Sequence, residues 1–221
     1  MIRQARAAFL AGVAALVAPP VLAHPHIWID AGVEVIFDAE GRATALRLSW
    51  VYDDFYSLLL VEERGLDADH DGNATPEETA ALQGFDMNWQ PGFAGDTYLL
   101  SGDAPVALGA PEGWTAAYRG GRLTSTHLRR IEPPVALDRP LKVQVYDPGF
   151  YSAYTIATDP VFTPALPAGC TAQVFEPDRD AADERLLAAL AEYGADEDVE
   201  ADFPAVGAAF SEEVRITCGA E

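Results

Sequence analysis

Between two stretches of helical spacing the chain reads Asp67-Ala68-Asp69-His70-Asp71-Gly72-Asn73-Ala74-Thr75-Pro76-Glu77-Glu78, and no other feature restricts its local fold as strongly. Acids stand at the first, third and fifth positions of these twelve, glycine at the sixth and glutamate at the last, which is the pattern of an EF-hand calcium loop. The spacing has a physical reason. Gly72 lets the chain turn sharply, so that Asp67, Asp69 and Asp71 converge their oxygens. Asn73 offers its backbone carbonyl, Thr75 reaches the ion directly or through water, and Glu78 closes the shell from the next helix. The pattern therefore predicts a helix on each side: Phe55 to Arg64 with Gly65 as its stop, and about Pro76 to Gln83, where proline and two acids suit a first turn. There is no second loop to pair with, and Ala74 stands where a larger apolar residue usually helps two hands bridge. An unpaired hand of this kind predicts a weak, structural Ca²⁺ site with a Kd of the order of 10⁻⁴ to 10⁻³ M, without a large opening motion.

The rest of the chain reads as strand. From His26 to Phe37 the odd positions Ile27, Ile29, Val33, Val35 and Phe37 are apolar, and after the turn at Ala39-Glu40-Gly41-Arg42 the same period resumes through Leu46, Leu48, Trp50 and Tyr52. Residues 26–52 are expected to form a hairpin. From Thr97 to Glu176 short β-like runs separated by Gly, Pro and Asp predict an antiparallel sheet or sandwich, and Asp180 to Tyr193 returns to helical spacing with Asp180 as its cap and Gly194 as its stop. A last strand, Val214–Cys218, is expected to pair back. The fold class is α+β: an antiparallel sheet or sandwich core with an EF-hand-like helical insertion at 55–92 and a C-terminal helix, in one domain over 24–221.

Arg3 and Arg6, the apolar run Ala7 to Val17 and the small-residue site Val21-Leu22-Ala23 read as a cleaved secretory signal over residues 1–23. In an exported chain, Cys170 and Cys218, the only two cysteines, read as a disulfide, since no close Cys or His spacing supports a metal thiolate. The 35 acidic and 14 basic residues leave a net charge of −21. Such a surface repels phosphate backbones, so no nucleic acid partner is expected, and it favours metal ions.

Cleavage after Ala23 leaves His24-Pro25-His26 at the new N-terminus. The α-amine and the His24 ring can chelate one metal together, and two-residue strand spacing puts His26 and Asp30 on the same side. Pro25 has no N–H to ionise, so a site built on deprotonated amides is disfavoured. His127, in the strand-like run Arg122 to Ile131, is a candidate third ligand from a partner strand; otherwise it is a hydrogen-bonded sheet residue. Imidazoles with amine or carboxylate suit Zn²⁺, Ni²⁺, Co²⁺ or Cu²⁺. Asp147, in Tyr146-Asp147-Pro148-Gly149-Phe150, either supports such a histidine from behind or caps its own turn. No serine nucleophile elbow, phosphate loop, zincin helix or Cys-His pair is present, so no enzyme is expected; the exception would be copper-dependent oxidation at His24.

His24-Pro25-His26-Ile27-Trp28-Ile29-Asp30 directly after the signal, Trp50-Val51-Tyr52-Asp53-Asp54-Phe55-Tyr56-Ser57, the Asp67–Glu78 loop, Val145-Tyr146-Asp147-Pro148 and the closing Cys218 together resemble the exported bacterial domain-of-unknown-function family 1007. Its members are often labelled periplasmic components of an ABC-type transport system and are associated with nickel/cobalt-type or zinc transporters. The resemblance implies a periplasmic metal-binding accessory protein that binds a transition metal or hands it to an inner-membrane transporter, with Ca²⁺ as a structural ion. A calcium-stabilised interaction module without a second metal is the alternative.

Overall fold

The two-residue period of the first predicted hairpin is realised as drawn. The computed structural model describes residues 25–194, 199 and 203–219; the expected leader, residues 1–23, lies outside them. β1 (Ile27–Phe37) pairs antiparallel with β2 (Ala43–Tyr52), Val33 opposite Leu48, and the odd positions of β1 from Ile29 to Phe37 are buried. The helical pair then interrupts the strands: α1 (Asp54–Glu63) and α2 (Pro76–Leu82). Asp53 caps α1 by accepting the Tyr56 N–H at 2.9 Å. Gly65, at φ 64°, ends the helix, its N–H donating to the Glu62 carbonyl while that of Leu66 donates to Val61.

Among the described residues, nine further strands follow and complete two sheets. They are β3 (Thr97–Ser101), β4 (Ala104–Val106), β5 (Leu108–Arg119), β6 (Arg122–Val135), β7 (Leu141–Val145), β8 (Ser152–Ile156), β9 (Val161–Thr163), β10 (Cys170–Phe175) and β11 (Glu213–Cys218). One sheet runs β5-β6-β2-β1-β8 with β9 also on β1; the other runs β10-β11-β7-β3-β4. One buried cluster joins Val35, Leu46, Leu48 and Ile131 of the first sheet to Leu99, Leu141, Val143 and Ile216 of the second, so the core is the filling of a sandwich. Helix α3 (Arg179–Leu190) packs at its margin through Ala182 and Leu186.

The structure refines three expectations. The second sheet is wholly antiparallel, but β8 and β9 lie parallel to β1, because side-chain alternation carries no information on strand direction. β4 and β9 are only three residues long, too short to show a period. Helix α3 is capped by Asp178, whose Oδ1 accepts the Ala181 N–H at 3.1 Å, and it ends at Leu190, ahead of Gly194.

β6 carries the least ordinary face. Leu123 and Ile131 point inward, and between them on the same buried face stand Ser125, His127 and Arg129. The Cys170–Cys218 disulfide joins the directly opposed ends of β10 and β11, and it indicates a location outside the reducing cytoplasm. No helix among the described residues is long and apolar enough to cross a membrane.

Candidate metal centre

Asp67 opens the acidic loop from a left-handed backbone, φ 55°, and only 6% of it is exposed. Its two carboxylate oxygens accept the Asp71 N–H at 3.0 Å and the Gly72 N–H at 3.1 Å, which folds the loop back over them. Asp71 in turn accepts the Asn73 N–H at 2.7 Å. The outcome is convergence: one oxygen each from Asp67, Asp69 and Asp71 lies within 4.8 Å of the others, and no other trio of potential ligands does so among the described residues. Carboxylates packed this closely repel, and a divalent cation reverses the sign of that interaction.

Thr75 and Glu78 are held differently. They form a reciprocal cap on α2: the Thr75 hydroxyl accepts the Glu78 N–H, and Glu78 Oε2 accepts from the Thr75 N–H and hydroxyl, both at 2.8 Å. Glu78 Oε1 accepts the Asp67 N–H at 2.8 Å, so the last loop residue clasps the first. These hydrogen bonds hold the Glu78 carboxyl below the usual carboxylate range, those from Thr75 acting most strongly. The donor set of Asp67, Asp69, Asp71, the Asn73 carbonyl, Thr75 and Glu78 is all oxygen, which suits Ca²⁺.

The loop's other edge is covered from within the sheet. The turn between β5 and β6 lies along the loop: the Ala74 N–H donates to the Tyr118 carbonyl at 3.0 Å, Gly121 to the Gly72 carbonyl at 2.9 Å, and Gly120 to Asn73 Oδ1 at 3.3 Å. Gly72 is needed twice over, for its φ of 78° and because a Cβ there would stand 3.2 Å from the Gly121 nitrogen. A small residue at 74 and glycines at 120 and 121 allow this close backbone pairing.

His26 and His127 do not meet in one site. His24 lies outside the described residues. The His26 N–H donates to the Tyr151 carbonyl at 2.8 Å and its ring stacks on that of Tyr151, centroids 4.6 Å apart. His127 is fully buried in the sandwich, edge-on to Trp50 at 4.7 Å and to Trp89 at 5.5 Å. It pairs with Leu48, which pairs with Val33, seven residues along the chain from His26. That offset is about 23 Å of strand, so His127 is corrected from a metal-site candidate to a core residue; parity put both histidines on plausible faces but not at one depth. Neither ring nitrogen of His127 has a hydrogen-bond partner among the described residues, which also departs from the hydrogen-bonded alternative. Burial first, and then the Arg129 charge, push its pKa down to about 4, so it is neutral at physiological pH.

The two acids near these histidines are already engaged. Asp30 pairs with Arg122 at 2.9 Å. Asp147 spends both oxygens on its own turn, accepting Gly149 N–H at 2.9 Å and Ser152 N–H at 3.1 Å, which is the capping role. Two other acids escaped the sequence reading. Asp86 accepts from the Tyr52 hydroxyl at 2.8 Å and from Ser125, and Asp96 accepts from the Tyr154 hydroxyl at 2.8 Å. Burial raises both, Asp96 to about 7. The signal for a polar interior was present in the Ser125-His127-Arg129 parity, but its partners lie on loops without periodicity.

No curated protein matches this chain significantly. A family model described as a protein of unknown function, DUF1007, matches residues 9–218, nearly the whole chain. The chain thus belongs to the DUF1007 family.

Proposed function

We propose that this chain is an exported, periplasmic metal-binding accessory protein in which Ca²⁺ in the Asp67–Glu78 loop locks the α1–α2 insertion onto the β5–β6 hairpin. The observation that carries this reading is the convergence of three carboxylates in a loop whose outer backbone is already bonded to that hairpin. The ion's role here is structural, because a sheet turn, not a second mobile hand, takes the loop's free edge. The reading calls for no catalytic residue.

The test is thermal unfolding of chelator-stripped protein with added Ca²⁺. At a Kd of about 10⁻⁴ to 10⁻³ M, 10 mM Ca²⁺ contributes roughly 1.4–2.7 kcal/mol and raises Tm by roughly 3–10 °C. Asp69→Asn should abolish the shift with little effect on the ion-free Tm, since the exposed Asp69 side chain contributes to the carboxylate cluster but holds up no backbone group. An unchanged Tm in the parent protein would defeat the calcium reading.

A second reading rests on the anchoring of His26 against Tyr151 beside the exposed Trp28. An N-terminus fixed at that point would present the His24 amine and imidazole, with His26, to Zn²⁺, Ni²⁺, Co²⁺ or Cu²⁺ for transfer to an inner-membrane transporter. One residue added before His24 should weaken binding of that metal about tenfold or more if the amine is a ligand, read by competition with a chromogenic chelator. Equal binding would leave the calcium-stabilised module alone.

A further inference from the structure

Among the described residues, Arg129 is a buried cation without an acid. Only 5% of it is exposed, yet its bonds go to three carbonyls: Nε to Gly109, Nη1 to Ala94 at 2.9 Å and Nη2 to Leu108 at 3.4 Å. The guanidinium also lies over the Trp89 ring, 4.8 Å from its centroid. Burial alone shifts its pKa, downward, with no carboxylate opposing the effect. A guanidinium has five N–H donors, so one remains on each terminal nitrogen, the pair that a carboxylate accepts two-pronged. Gly95 makes room for this end: a Cβ there would stand 2.6 Å from Nη1.

The same arginine lines a cleft of about 580 Å³ opening between the β3–β4 hairpin and residues 92–94. Its other walls include Phe93, Leu100, Val106 and the stacked rings of Tyr98 and Tyr146, centroids 4.1 Å apart. Burial first, then Tyr146 and the Asp96 and Asp147 charges, raise the Tyr98 hydroxyl to about 12, whereas neither aspartate bears on Arg129. A mostly apolar cleft of this size with one fixed charge has the make-up of a small-molecule site.

We propose that this cleft binds a small organic monocarboxylate with an apolar body, its carboxylate on Arg129 and its body against the Tyr98–Tyr146 wall. A phosphate or dicarboxylate fits less well, because Arg129 is the cleft's only cationic side chain and the chain's charge of −21 penalises each further negative charge.

The experiment titrates the whole protein with octanoate and with octanamide, which differ mainly in the charge at one end, by calorimetry and by tryptophan fluorescence. Octanoate should bind saturably, and octanamide about tenfold or more weakly. Leu100→Trp, which narrows the cleft from a wall residue and keeps Arg129, should lower octanoate affinity by a similar factor at unchanged Tm. Arg129→Lys should weaken octanoate specifically, because an ammonium cannot offer two N–H groups from a planar fork. Equal binding of acid and amide, no saturable octanoate binding, or full octanoate affinity in Leu100→Trp would each overturn the assignment.

Discussion

In the Asp96→Asn variant the free energy of unfolding is expected to climb by roughly 3 kcal/mol from pH 4 to pH 6.5, where the parent protein changes much less. Two buried groups produce this by opposing one another. His127 titrates near 6.5 when exposed but at about 4 when folded. Between those values the unfolded chain holds a proton that the folded chain lacks, so stability rises with pH and is lost as pH falls toward 4. Asp96 has the reverse sign. Its folded pKa of about 7 lies above the ordinary 3.8, so the folded chain holds the extra proton and stability falls as pH rises through that window. Each shift corresponds to roughly 3–4 kcal/mol, and over the shared interval they nearly cancel. Asparagine keeps an acceptor for the Tyr154 hydroxyl and removes the titration, exposing the His127 slope; His127→Gln should expose the opposite slope. Urea melts of the three proteins across pH 4–7 measure all of this, and parallel pH profiles would show that these two groups do not govern the behaviour.

The pair also shows where sequence reading stops. The hairpin at residues 26–52, the helices around the acidic loop and a strand over Arg122 to Ile131 follow from local spacing, and the structure has them. The depth of His127 does not follow, since period two fixes a face and leaves the neighbour across the sheet open. Whether it meets His26 depends on register, which is set here by β1–β2 and β2–β6 pairing over a long stretch of chain. Asp86, Asp96 and Arg129 were illegible for a related reason. Two of them lie on irregular segments, and an arginine on an apolar strand face becomes informative only when three carbonyls and a cleft surround it. The acidic loop was legible because its chemistry lies within twelve consecutive residues; its docking on Gly120 and Gly121 was not, because that partner comes from elsewhere in the chain.

Removing the disulfide by Cys170→Ala with Cys218→Ala is expected to lower stability by about 2–4 kcal/mol and Tm by roughly 5–15 °C. The cysteines are 48 residues apart, and closing a loop of that size has an entropic ceiling of roughly 4 kcal/mol. The position of the bond says where the loss should appear. β10 is an edge strand whose residues are mostly exposed, so little apolar burial holds it, whereas β11 beside it buries Val214 and Ile216. The bond therefore supplies to β10 the anchorage that packing supplies to β11. Hydrogen exchange in the double variant should quicken first in β10 and in α3, which lies within the closed loop, while β7 and β2 keep their protection until global unfolding. Uniform quickening across both sheets would mean that the cross-link acts on the whole domain through the unfolded state, and it would refute a local tether. The calcium shift should survive in the double variant, because the acidic loop is bonded to the β5–β6 turn and, among the described residues, shares no backbone hydrogen bond with the disulfide loop; additive losses from Asp69→Asn, measured with Ca²⁺, and the double variant would establish that the protein is stapled independently at two places.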